Sequence, residues 1–194
     1  MKSADTRWHD GAVTPEDRSA ALGFKGATVW LTGLPASGKS TLAVEVEALL
    51  IGAGRPALRL DGDNLRHGLN GNLGFAKEDR AENVRRTAHA AALLAEAGVV
   101  ALVALVSPYR EDRDVARRIH EAAGVPFLEV WVSTGLAECE RRDPKGLYAR
   151  ARAGELQGLT GVGDVYEVPE SPELTIGGAE PIPAAAARLL GALG

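Results

Sequence analysis

The sequence predicts an α/β domain in three layers, with a parallel β-sheet covered on both faces by helices. Three observations carry this reading. Short apolar runs alternate with stretches of helical period, the run at 99–106 is apolar enough for burial on both faces, and a glycine-rich turn joins the first run to the first helix. The chain has 194 residues, 45% hydrophobic and 25% charged, which suffices for one core and is short for two.

Strands are expected at 28–32, 57–60, 99–106 and 127–132, where apolar and β-branched residues cluster. The first helix follows the turn, with Leu42, Val46, Leu49 and Leu50 on one face and Gly52 and Gly54 stopping it. A second helix is expected at 78–97. Val84, Ala88, Ala91, Ala92 and Ala95 recur at helical spacing there, leaving Arg80, Asn83 and Thr87 on a neighbouring polar face. Helices are also expected at 113–123 and 134–142, and a short one in the alanine-rich end. Residues 145–163 are rich in glycine and cations without a sustained period, which suggests a mobile cover.

Composition narrows the function classes. A formal charge of −4 gives no basic footprint for nucleic acid or an anionic membrane. Cys139 is the single cysteine, so no internal disulfide forms, and the polar start does not resemble a secretory signal. The most apolar run falls well short of the ~20 residues of a membrane helix. A reducing cytoplasm is the expected compartment.

GLPASGKST, residues 33–41, satisfies G-x-x-x-x-G-K-[ST] between a strand and a helix. Backbone N–H groups of Gly33, Leu34, Ala36, Ser37 and Gly38 can curl around phosphate oxygens, and the helix start at Lys39, Ser40 and Thr41 adds positive potential. Lys39 neutralises the terminal phosphates and the Ser40 hydroxyl can ligate Mg²⁺. Pro35 has no N–H and removes one donor from the crown. ATP or GTP binding is the expectation, and the loop by itself says nothing about the acceptor. The strand at 99–106 ends in Ser107 rather than the usual metal-supporting Asp. The nearest strand-end carboxylates are Asp61 and Asp63, in LDGDNLR. In a parallel sheet these open on the same edge as the loop; alternatively they form an Asx turn, with Asp63 or Asn64 capping a helix.

DGDNLRHGLNGNLGF (61–75), EDRAENVRR (78–86), SPYREDRDVAR (107–117) and ERRDPKGLYARARAGELQGLTG (140–161) together resemble the adenylylsulfate kinases. WHDGAVTPEDR near the start and YEVPESPEL near the end extend the resemblance over almost the whole chain. It implies a P-loop nucleotide-kinase-like fold with a central five-stranded parallel sheet and a lid at about 143–163. The domain would span 26–194, with 1–25 an extension packed on it and Trp8 as its anchor. It further implies a homodimer, a place in sulfate assimilation, functional coupling to an ATP sulfurylase, and transfer from Mg·ATP to the 3′-hydroxyl of adenosine 5′-phosphosulfate. Another small-molecule kinase, or a nucleotide-binding subunit without catalysis, are the alternatives.

By the same resemblance, Asp63, Arg66, Phe75, Arg80, Asn83, Val106, Ser107, Lys145, Gly158 and Leu159 meet the adenylylsulfate. Arginine forks suit its oxyanions, Phe75 offers a stacking face for adenine, Asn83 a hydrogen bond, and Leu159 an aliphatic wall where phenylalanine is usual. Asp63 orients the acceptor hydroxyl, while Asp61 supports metal water or loop geometry. Bacterial members have been assigned a phosphoserine intermediate at the serine matching Ser107. A serine nucleophile needs a base, none is identifiable here, and the alternative is a strand-end hydroxyl that contacts substrate or caps the next helix. Departures from the family's habit are Pro35 and Ala36 in the loop, Ser133 and Gly135 after the fourth strand, and Val165 before Tyr166. His67 and His89 have no assigned chemistry, and Cys139 reads as a packed thiol.

Overall fold

The computed structural model describes residues 7, 9 and 11–194, so the expectation for Trp8 lies outside the described residues. Five strands form the sheet: β1 (Ala27–Thr32), β2 (Ala57–Asp61), β3 (Val100–Ala104), β4 (Phe127–Val132) and β5 (Leu174–Ile176). Their spatial order is β2-β3-β1-β4-β5, and every pairing is parallel. The fifth strand has only three residues, too few to show a period of its own.

Alternation along β1 divides the core. Val29 and Leu31 face α2 (Lys39–Gly52) and α8 (Ile182–Leu193), whose Leu42, Val46, Leu50, Ala186 and Leu189 fill that side. Trp30 faces the other way, against Val84, Ala88 and Ala91 of α4 (Lys77–Glu96) and Ala116 of α5 (Arg110–Ala123). The alanine stripe of α4 brings the helix close to the sheet, which is why the smallest residues hold those positions. No described helix is long and apolar enough to cross a membrane.

Short helices complete the chain: α1 (Pro15–Leu22), α3 (Gly62–Leu65), α6 (Leu136–Arg142) and α7 (Leu147–Arg152). Thr14 and Asp17 form a reciprocal capping box on α1, and the side chain of Leu22 lies directly against Gly98. The segment at 143–163 contains α7 and a small core of its own. Cys139, Tyr148 and Leu159 are buried there beneath Leu147, Leu156 and Val162, and the cluster rests on Leu34 and Ala36 of the glycine-rich turn.

Helix α5 begins at Arg110 with Tyr109 as its N-cap, three residues earlier than the sequence pattern indicates. Ser107 therefore does not cap it, and Pro108 is not its first residue. Arg113 of α5 is 2% exposed and is fully used: it pairs with Glu129 at 2.6 Å and donates to the carbonyls of Ser107 and Glu167, each at 2.7 Å. A buried charge with this set of partners fixes the orientation of every segment it touches, and removing one partner costs about 3–5 kcal/mol.

Gly26 leads into β1, and a Cβ there would overlap the carbonyl oxygen of Ala95 in α4. Backbone on both sides has no room to yield. Gly26→Ala is expected to lower stability by about 2 kcal/mol or more, read as a reduced urea midpoint. Gly52→Ala, at the end of α2 with open space around the new methyl group, is expected to be neutral or slightly stabilising in the same assay.

Candidate active site

The turn after β1 owes its shape to three residues with positive φ. Gly33 (φ 153°) must be glycine, because a Cβ there would sit 2.6 Å from the carbonyl oxygen of Val132. Gly38 (φ 108°) is the N-cap of α2 and leaves the first N–H groups of that helix without a side-chain cap. Between them Ala36 adopts φ 60°, a left-handed conformation that costs an alanine about 1 kcal/mol relative to glycine.

Lys39 closes this turn on itself. Its Nζ donates to the carbonyls of Gly33 (2.9 Å) and Leu34 (2.8 Å) and to Ser37 Oγ (3.3 Å), and the residue is 7% exposed. Burial lowers its pKa to about 8, opposed by the nearby negative groups that include Asp61 and Asp63. Other bonds brace the turn from outside. Thr134 Oγ1 donates to Ser37 O (2.7 Å), and Tyr148 donates its hydroxyl to the carbonyl of Pro35 (3.0 Å). Ser40 and Thr41 remain exposed at the start of α2.

Asp61 and Asp63, close in sequence, have different surroundings. Asp61 is the N-cap of α3 and is 6% exposed; its Oδ1 accepts from the N–H of Asp63 (3.1 Å) and its Oδ2 meets Arg59 (3.1 Å). The helix cap is thus Asp61, not Asp63 or Asn64. Asp63 projects into solvent and pairs with Lys145, which joins the β2 tip to the 143–163 segment. Among the described residues no group of three or more His, Cys, Asp or Glu could hold a metal. The exposed Ser40 hydroxyl suits a Mg²⁺ ion that keeps its waters and takes phosphate oxygens, whereas both oxygens of Asp61 are engaged, so this carboxylate fits only as a partner for metal-bound water.

Arg66, Phe75 and Arg80 converge. The Phe75 ring is 66% exposed and no core residue; the guanidinium carbons of Arg66 and Arg80 lie 4.2 and 5.7 Å from its centroid. Arg66 also donates to the carbonyls of Leu73 and Gly74, and Arg80 to those of Phe75 and Gly158. Asn83 lies one turn further along α4, 7% exposed, with Oδ1 accepting from Asn70 at 2.8 Å. Leu159 does not join this group as an open wall: it is 8% exposed and packs against Cys139 and Tyr148. Its aliphatic side chain is consumed by the small core of the 143–163 segment. Tyr109 and Asp164, which sequence reasoning did not single out, stand beside Arg80. The Tyr109 hydroxyl donates to Asp164 at 2.7 Å, and burial together with that carboxylate raises its pKa to about 12.

Ser107 follows β3 with φ 38° and is 4% exposed. Its Oγ accepts from Trp30 Nε1 (3.1 Å), and its carbonyl accepts from Arg113 (2.7 Å). The half-buried Val106 beside it also has its carbonyl bound by Thr32 Oγ1, at 2.8 Å. An indole N–H is a donor, so Ser107 has no base among these partners.

A cleft of about 320 Å³ opens on the other side of the glycine-rich turn. Ser37, Gly38 and Thr41 form one wall, and Arg142, Gly178 and Pro181 lie around the rest. Arg142 donates to the carbonyl of Gly178 at 2.8 Å, and a Cβ on Gly178 would strike Thr134 Oγ1 at 2.5 Å. Neither Arg142 nor Gly178 carries a periodic or motif signal of its own. Ser133 bonds the carbonyl of Ile176 through both its N–H (2.8 Å) and Oγ (3.1 Å), Gly135 is the N-cap of α6, and Val165 is 60% exposed, so the departures leave the strand edge intact.

The family model described as adenylylsulphate kinase matches residues 25–177. An adenylyl-sulfate kinase of Citrobacter koseri is 52% identical over 184 residues, covering 94% of this chain and 90% of its own length. A bifunctional enzyme CysN/CysC of Mycobacterium tuberculosis is 51% identical over 174 residues, 90% of this chain and 28% of the larger protein. The solved Mycobacterium tuberculosis APS kinase CysC in complex with AMPPNP and APS superposes with a TM-score of 0.86 at 50% identity, covering 88% of this chain and 98% of that one. A hexameric APS kinase from Thiobacillus denitrificans superposes with a TM-score of 0.66 at 32% identity, covering 88% of this chain and 29% of that one. The turn at Gly33–Thr41, the paired Asp63 and Lys145 and the Arg66–Phe75–Arg80 group thus sit within a match that spans most of the sequence: the chain belongs to the adenylylsulfate kinase family.

Proposed function

We propose that this chain transfers the γ-phosphoryl group of ATP to the 3′-hydroxyl of adenosine 5′-phosphosulfate, giving 3′-phosphoadenylylsulfate and ADP in sulfate assimilation. The observation that carries this reading is the strand order. The glycine-rich turn follows the central strand β1, the 320 Å³ cleft lies toward β5, and Asp63 with the arginine–phenylalanine group follows β2 on the opposite flank. A donor laid from the cleft across the turn presents its terminal phosphoryl toward the acceptor flank. The solved relative's complex with AMPPNP and APS supports the same two occupants.

In this reading Arg66 and Arg80 hold the phosphosulfate oxyanions, Phe75 stacks on the adenine and Asn83 bonds its edge. The ring stands clear of the core and is therefore available for a second planar group. Asp63 orients the 3′-hydroxyl and accepts its proton, and Lys145, already its partner, brings positive charge from the lid. Lys39 exchanges loop carbonyls for phosphoryl oxygens, so it neutralises charge as the group moves. The Ser40 hydroxyl would be the protein ligand for Mg²⁺ carried by ATP and Asp61 a partner for its water, and the ion would supply charge neutralisation on the phosphoryl oxygens. Val106, Ser107 and Gly158 frame the acceptor through backbone, and transfer in this reading is direct, because among the described residues no base accepts the Ser107 hydroxyl proton.

The protein works as a cytoplasmic homodimer, and the bifunctional relative supports operation beside the ATP sulfurylase reaction that supplies the acceptor. One relative is hexameric, so mass measurement in solution tests the homodimer: a dimer mass is expected, and a hexamer mass would contradict it.

Incubation of the purified protein with Mg·ATP and adenylylsulfate should yield ADP and a 3′-phosphorylated product in equal amounts. Lys39→Ala should reduce kcat/KM by at least about 10²-fold. No product above that variant would defeat the assignment. A pH dependence follows from Lys39. Below pH 8 its ammonium is present in the free protein. As pH rises through about 8 the free protein loses that proton, and nucleotide must then restore it on binding. Calorimetry in buffers of different ionisation enthalpy should show net proton uptake growing toward one as pH rises from about 7 to 9, with affinity falling in parallel. Uptake that stays flat across this window would contradict the recharging of Lys39.

A further inference from the structure

We infer that Asn70 is a positioning residue that fixes the side-chain amide of Asn83, so that the Nδ2 donor and not the oxygen faces the acceptor's base. This rests on the reading above, in which Asn83 meets adenine, and it specifies what that contact can recognise.

The argument is one of hydrogen-bond polarity. Asn70 and Thr87 are both 0% exposed. The Thr87 hydroxyl donates its single proton to the backbone carbonyl of Asn83 at 2.7 Å. Its oxygen is then only an acceptor, and the group of Asn70 that faces it at 3.3 Å must be the amide nitrogen. The same nitrogen has its second hydrogen on Asn83 Oδ1 at 2.8 Å. Turning the Asn70 amide over would set oxygen against two oxygens, and would place its NH₂ where Oδ1 now lies buried without a partner. A buried carbonyl oxygen without a partner is tolerated far more readily than a buried N–H in the same state. The network therefore runs in one direction.

Its end point is Asn83. With Oδ1 consumed inside the fold, Nδ2 is left without a partner among the described residues. It stands one turn beyond Arg80, whose guanidinium flanks the Phe75 ring. A donor at that position suits a base that offers an unprotonated ring nitrogen. A base with N–H or C–H at the contacted edge leaves the amide unsatisfied in a site from which water is withdrawn. Neither Asn70 nor Thr87 touches substrate in this arrangement; both act through Asn83.

The test compares KM and kcat for wild type, Asn70→Asp and Thr87→Ser, using adenylylsulfate and its three analogues with N1, N3 or N7 replaced by C–H. Wild type should lose about 10- to 100-fold in kcat/KM on one analogue. The carboxylate of Asn70→Asp cannot donate to Asn83 Oδ1. This variant should raise KM for adenylylsulfate by a similar factor, leave KM for ATP unchanged and lose its discrimination among analogues. Thr87→Ser keeps the hydroxyl and should behave as wild type. If Asn70→Asp does not fold, judged by thermal unfolding, Thr87→Val removes the acceptor that orients Asn70 and should show the same loss of discrimination. Wild-type discrimination retained in the variant used, or a wild type that treats all three analogues as the parent, would overturn the inference. Failure of the functional reading looks different, since the wild-type chain would then leave adenylylsulfate untouched.

Discussion

The parallel register of β1, β2 and β3 is the constraint on which the rest of this molecule depends. Leu31 of β1 and Asp61 of β2 both align with Ala104 of β3, so three chains leave the sheet at one edge and at nearly one level. The glycine-rich turn, the Asp61–Asp63 tip and, one residue further on, the Val106–Ser107 corner lie at these ends. Because β1 is central, the turn that follows it has a flank on either side. A two-substrate site needs that layout, and an antiparallel sheet would send alternate ends to opposite edges. The apolar burial of Val29, Trp30 and Leu31 on two faces is therefore also what aims the polar residues beyond them.

Charge is then placed into this frame at different depths. Lys39 is buried against carbonyls, which lowers its pKa, and in the proposed function it exchanges those partners for phosphate. Arg113 is buried against a carboxylate and two carbonyls, and there the function is geometric, since it draws the Ser107 corner, α5 and the Glu129 carboxylate of β4 together. Asp63 and Lys145 form their pair in the open, where solvent screening leaves it weak. In the proposed function that weakness lets the contact between the 143–163 segment and the site give way when substrate arrives. The 143–163 segment rests on Leu34 and Ala36 through a small core, so its position and the shape of the phosphate turn are coupled by packing as well as by the Tyr148–Pro35 bond.

Much of this was legible in the residues. The phosphate turn, four of the five strands and the periodic α4 follow from pattern, because each is long or carries a spacing that chemistry demands. Other features have no such signal. β5 is three residues long, and α7 is a six-residue helix inside a stretch dominated by glycine and cations. Ser107 preceding Pro108 looks like a helix start, yet its hydroxyl is held by Trp30 from 77 positions away. Leu159 is expected as an aliphatic wall for adenine and is instead buried within the 143–163 segment against Tyr148 and Cys139. Arg142 and Asn70 act through contacts 36 and 13 positions distant, and no local rule reports such pairings.

The central chemical claim is that a phosphoryl group crosses from donor to acceptor in one displacement, with Ser107 shaping the corner and not carrying the group. The stereochemical course at phosphorus tests this most directly. With ATP made chiral at the γ-position by oxygen isotopes and sulfur, a single in-line displacement inverts configuration in the 3′-phosphorothioate product. Inversion is the result this account predicts. Retention would require two displacements through a phosphorylated protein group and would contradict it.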